Sequence, residues 1–331
     1  MNKPTPNWHF RHPFRTASIG LAAWLAALLA GYFISTRLPG LSWLLLPPLE
    51  LLAIGLPLWW WVEFGGRGLR PASALRKWSV FGVAVNVSPL AAASLQILVF
   101  GGMFAGGAAW FAAHPELSTQ AMRILQRISN ANMNPEVLLR ILRPLLLSPA
   151  VILTSAAVLA GVIPLVEEMV KPLALWGFAR QNFSPAEGWT AGLICGAAFG
   201  LLESLTALAS TGGDSWTGLI IGRLGTGLLH TVTAGLTGWA LAEAWSLRRY
   251  VQLGLVYLLA VLLHGLWNAF AAASVLPQLL EGSAGGGLEG IALRASLVAP
   301  FALGLLIFVL LLILTRFNQV LRRQTEAKPI V

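Results

Sequence analysis

The chain has 331 residues, of which 56% are hydrophobic and only 11% are charged, against about 25% charged in an average soluble domain. Too few charges remain to coat a soluble surface, so lipid must cover much of the chain. The formal net charge of +9 does not point to nucleic acid, because Lys and Arg stand in short clusters between apolar runs, the arrangement that orients a membrane protein.

About 20 apolar residues carry a helix across a bilayer. Lys3, Arg11 and Arg15 precede the first apolar run, Ala17–Ile34, and no small-residue cleavage site follows it. It reads as an uncleaved span. Leu41–Val62 is the second span. Its Trp59-Trp60-Trp61 forms an interfacial belt, and its Glu50 is a buried carboxylate outside any motif, read as structural. Val80–Phe111 is longer than one crossing needs, and Ser88-Pro89 is expected to split off an interfacial piece. From His114 to Arg143 the chain turns polar, and the spacing of Met122, Leu125 and Ile128 predicts an amphipathic interfacial helix. Five further runs follow: Leu145–Val166, Trp189–Ala209, Thr217–Trp245, Val251–Val275 and Leu293–Leu314. The single cysteine, Cys195, lies in one of these runs and reads as packing; alone it excludes an internal disulfide and a cysteine-based zinc site.

The expected fold is therefore an all-α, polytopic membrane helix bundle of about eight spans. Its organisation is one integral membrane domain: an N-terminal three-span region with the interfacial helix (1–144), a helix core (145–275), and a last span with a basic tail (276–331). Of the 22 Lys and Arg residues, fifteen fall on the side of the N-terminus, six on the other, and Arg223 within a span. That bias places both termini in the cytoplasm and the protein in the cell membrane.

Ionisable groups inside spans are expensive, roughly 2.5–3.5 kcal/mol each on insertion scales, and are usually functional. They concentrate in spans four to seven: Glu167-Glu168 followed by Lys171, then Glu203, then Arg223 and His230, then His264 with Asn268. Glu167 and Lys171 are four residues apart and can pair, as can Glu203 and Arg223 across helices. Arg223 and His230 are seven apart and share a face, and His264 and Asn268 are four apart. Pro164 leaves a backbone carbonyl without its donor and is expected to bend the fourth span. That span is expected to run on through Trp176. Small residues flank each polar group, so helices can close around a shared polar cavity.

Two chemistries suit this set. In one, a carboxylate assisted by His takes a proton from water, and Asn and the second His steady the oxyanion. In the other, Glu167, Glu203, His230 and His264 ligate a metal, zinc being the ion such ligands hold. HExxH and GxSxG are both absent, and no Asp pair lies within the spans. Catalysis by glutamate without a metal is the preferred reading. Desolvation strengthens a buried carboxylate as a base, and Glu168 is favoured for that role over Glu167, which is assigned to Lys171. A proton- or ion-coupled transporter and a non-catalytic membrane scaffold are the alternatives outside hydrolysis.

At these residues the chain resembles the PrsW family of intramembrane proteases, relatives of the CAAX prenyl protease and bacteriocin-processing membrane proteins. The matching pieces are EEMVK at Glu167–Lys171, FGLLE at Phe199–Glu203, the mid-span His230, and HGLWN at His264–Asn268. The CAAX branch carries Arg after its paired glutamates and His at the end of its second motif. Lys171 and Glu203 stand there in this chain and favour the PrsW branch. The resemblance implies an intramembrane endopeptidase acting on membrane-anchored protein substrates, for example anti-sigma factors. Glu167, Glu168, Glu203, His230, His264 and Asn268 would be its catalytic residues, and Lys171, Phe199 and Arg223 would support them.

Overall fold

The computed structural model describes residues 13–69, 73–130, 137–138, 141–142, 148–179, 183–209, 216–280 and 287–326. Of the charges counted above, Lys3, Arg11, Arg70, Arg140, Arg143, Arg180 and Lys328 lie outside the described residues. So do residues 131–136 of the polar stretch and residues 145–147 of the expected fourth span.

All regular structure among the described residues is helical. Hydrocarbon offers backbone groups no water, and a helix satisfies them within one segment. The elements are α1 (Pro13–Arg37), α2 (Ser42–Gly65), α3 (Ala74–Ala112), α4 (Pro115–Asn130), α5 (Pro149–Ala157), a π-helical turn (Val158–Val162), α6 (Ile163–Val170), α7 (Leu173–Trp176), α8 (Pro185–Ala209), α9 (Trp216–Leu247), α10 (Tyr250–Leu280) and α11 (Gly287–Glu326). Eight helical stretches among the described residues are long and apolar enough to cross a membrane. The protein is a multi-pass integral membrane protein, as its composition requires.

Two expectations need correction. α3 runs unbroken through Pro89, so Ser88-Pro89 does not split the third span. Proline removes one donor, whereas a break in hydrocarbon would strand several backbone groups. The fourth span does reach Trp176, but not as one helix: it contains the π turn and a turn at Lys171–Pro172. α4 forms where the apolar spacing predicts it, with Met122 and Leu125 exposed.

The chain divides into two compact units. One comprises the described residues of Met1–Pro89, Lys171–Tyr257 and Ile307–Val331; the other comprises those of Leu90–Val170 and Leu258–Leu306. In the first unit α8 and α9 pack backbone to backbone. Gly188, Gly192, Gly196 and Gly200 recur every four residues on α8. The first three lie against the backbone of Gly238, of Ala234 and Gly235, and of His230 on α9, where a Cβ on any of them would clash. Close approach through small residues is how membrane helices associate when burial from water no longer drives them. The indole of Trp189 donates to the Gly65 carbonyl at 2.8 Å, and Asn318 donates to the same oxygen at 2.7 Å. Together they satisfy a carbonyl at the end of α2 that the helix leaves open. The Trp216 ring fills the space over Gly31, and its Nε1 donates to Glu50 at 3.2 Å.

Candidate active site

In the second unit the acidic pair stands on α6 and His264 on α10. All three side chains are buried, with Glu168 and His264 only 1% and 3% exposed. Consecutive residues on a helix point about 100° apart, so the glutamates reach the imidazole by different atoms. Glu168 Oε1 lies 2.8 Å from His264 Nδ1, and Glu167 Oε2 lies 3.8 Å from Nε2. Gln96 of α3 donates through Nε2 to Glu167 Oε1 at 3.3 Å. With Glu168 ionised, Nδ1–H donates to it, and Nε2 becomes the basic nitrogen, facing Glu167. Two buried carboxylates thus bracket one imidazole. Glu167 and His264 would be residues able to hold a divalent cation there. The donors fit a metal: a carboxylate and an imidazole whose other nitrogen is held by a second carboxylate are usual zinc surroundings. They are two of the three protein ligands that a catalytic zinc takes.

Why α6 presents its glutamates this way is decided one turn earlier. Ile163 N–H reaches back five residues to the Val158 carbonyl. Asn268 Nδ2 donates to the Leu159 carbonyl at 3.0 Å. Gly265 lies directly against the Ala160 carbonyl, where a Cβ could not fit. The amide of Asn268, expected to steady an oxyanion, is thus engaged with backbone.

In the first unit the other expected residues also gather. Glu203 of α8 receives both polar groups of α9. Its Oε2 lies 2.5 Å from His230 Nε2 and 2.9 Å from Arg223 Nη2. The pairing of Glu203 with Arg223 expected across helices forms, and the same carboxylate also meets His230. Arg223 Nε also donates to Ser204 Oγ at 2.9 Å, and that hydroxyl donates to the Gly200 carbonyl at 2.6 Å. The guanidinium is therefore gripped at two places, by Glu203 and by Ser204. The Phe199 ring packs on the His230 ring, centroids 5.5 Å apart, and Lys171 Nζ sits 5.2 Å from the centre of the Phe199 ring. His230, like His264, is held through one nitrogen by a glutamate.

Gln96 and Ser204 escaped the sequence reading. Gln96 is an amide inside the apolar run Val80–Phe111, and the rule that singled out Asn268 would have found it. Ser204 carried no signal beyond following Glu203.

A family model described as PrsW family intramembrane metalloprotease matches residues 97–287. The match takes in Glu167, Glu168, Glu203, His230, His264 and Asn268. No curated protein and no solved structure matches the chain.

Proposed function

We propose that this chain, which belongs to the PrsW family of intramembrane proteases, cleaves membrane-anchored protein substrates such as anti-sigma-factor-like regulators in the cell membrane, with Glu167, Glu168 and His264 at the centre of the chemistry. The observation that carries this reading is the buried bond between Glu168 Oε1 and His264 Nδ1 at 2.8 Å. It fixes the imidazole in one tautomer and makes Nε2 a stronger donor of its electron pair.

A metal-assisted hydrolysis is the form of the reaction that we favour over the metal-free glutamic reading preferred from sequence. The family's description supports it, and so does the closeness of two atoms able to ligate a metal, Glu167 Oε2 and His264 Nε2, 3.8 Å apart. Glu167 and His264 would hold a zinc ion, which when bound supplies Lewis-acid polarisation and an acidified water. The chain's own residues do the remaining work. Gln96 holds Glu167 Oε1 and leaves Oε2 toward His264. Glu168 holds His264 from behind. Glu203, paired with Arg223, orients His230 through Nε2.

The test is cleavage. Purified protein in liposomes with a single-span substrate should release two fragments and should carry no proton or ion current. Ion flux without fragments would establish the transporter reading instead, and neither activity would favour the scaffold.

A further inference from the structure

We infer that Asn268 and Gly265 are positioning residues: they hold the π turn of Val158–Val162 open and so set the rotation of α6 that turns Glu167 and Glu168 toward His264. This rests on the reading of those three residues as the reacting set.

The argument is a count of carbonyls. In a regular helix Leu159 O would accept from Ile163 N–H, but that N–H goes to Val158 O. The next donor along would belong to residue 164, which is proline and has none. Leu159 O therefore has no donor from its own helix at either position, in surroundings without water to replace one. Asn268 Nδ2 fills the place at 3.0 Å. Ala160 O loses its usual partner to the same proline, and Gly265 lets α10 come against that oxygen because it has no side chain. A π turn holds one more residue than the α turn it replaces, so it changes the phase of everything after it by about 100°. Glu167 lies about one and a half turns beyond its end, at Val162. His264, Gly265 and Asn268 fall within five consecutive residues of α10. One stretch of helix thus grips the bulge and receives the carboxylate that the bulge aims. π turns persist at functional sites when neighbours satisfy the groups they strand, and here the neighbour is the helix that carries the histidine.

The test reads alignment without catalysis. In a chain with Cys195→Ala as background, Glu168→Cys and His264→Cys are joined in membranes by a short bifunctional thiol reagent. Efficiency is scored only on protein that extracts as a single dispersed species. Adding Asn268→Leu should lower cross-linking severalfold, Gly265→Ala should do the same, and Asn268→Gln, which restores an amide donor, should recover part of it. In the active chain Asn268→Leu should lower kcat with little change in KM, and Asn268→Gln should again recover part. Cross-linking at the parent level in both Asn268→Leu and Gly265→Ala would overturn the inference, as would an unchanged kcat in Asn268→Leu. If Asn268→Leu does not accumulate, Gly265→Ala against its parent decides alone. Because cross-linking needs no activity, its outcome stands apart from any failure of the protease reading.

Discussion

Glu167 and Glu168 are chain neighbours that meet the same imidazole through different nitrogens, and substitutions at the two should therefore fail differently. Glu168→Gln keeps the shape but offers Nδ1 an amide, which no longer fixes the tautomer or strengthens Nε2. Glu167→Gln removes a carboxylate ligand. Elemental analysis of purified protein should find close to one zinc per chain, with activity lost on chelation and restored by zinc. Glu167→Gln should lower the zinc content sharply, because a carboxamide is a poor substitute for a charged ligand. Active protein that contains no zinc and ignores chelators would return the chemistry to the metal-free glutamic form. Glu50 makes the contrast. It was legible in the sequence only as an unexplained buried carboxylate, and its partner is the Trp216 indole at 3.2 Å. Glu50→Gln keeps an acceptor for that indole, so it should change stability by no more than the roughly 0.5–1.5 kcal/mol of one hydrogen bond.

At the scale of elements, the close pair of α8 and α9 places His230. Gly196 lies against the His230 carbonyl itself, so the obstacle to a methyl group there is backbone, which cannot swing aside. Gly196→Ala should cost about 1–3 kcal/mol or more by overpacking and should lower cleavage by displacing His230. Gly254→Ala, where nothing lies within 4 Å, should do neither; thermal unfolding in detergent beside the cleavage rate checks both. The four-residue glycine spacing of α8 could be read from the sequence, but the helix it faces could not. The two prolines teach the same lesson. Both Pro89 and Pro164 read as disruptions, yet α3 passes straight through the first while the second follows a π turn. The difference lies in what neighbours supply. Asn268 and Gly265 stand 104 and 101 residues beyond Pro164 in the numbering, too remote for local pattern to announce. What local pattern did reveal was chemistry: Glu168 meets His264, and Glu203 meets Arg223 and His230.

At the scale of the whole molecule, eight apolar runs could be read from hydropathy, but several helical stretches run well past the ends of those runs, to Trp176 in the fourth and Glu326 in the last, because hydropathy does not register polar residues that continue a helix. The bias of Lys and Arg predicts that both termini lie in the cytoplasm. Reporter fusions at Arg248–Arg249 should read cytoplasmic; a signal from the far side would invert the topology. Four motifs carry the family resemblance in the sequence, and the family match over residues 97–287 agrees with it. The roles of individual residues were harder to read, because a role depends on which atom faces which. The most direct test of the central claim compares cleavage of a single-span substrate in liposomes by the parent chain, Glu168→Gln and Glu50→Gln, each confirmed to be folded in the membrane. Loss of a group that prepares the reacting atoms costs on the order of 100-fold or more in rate, so Glu168→Gln should show no measurable cleavage and Glu50→Gln should match the parent. Near-parental cleavage by Glu168→Gln, with Glu50→Gln inactive, would place the chemistry elsewhere in the chain.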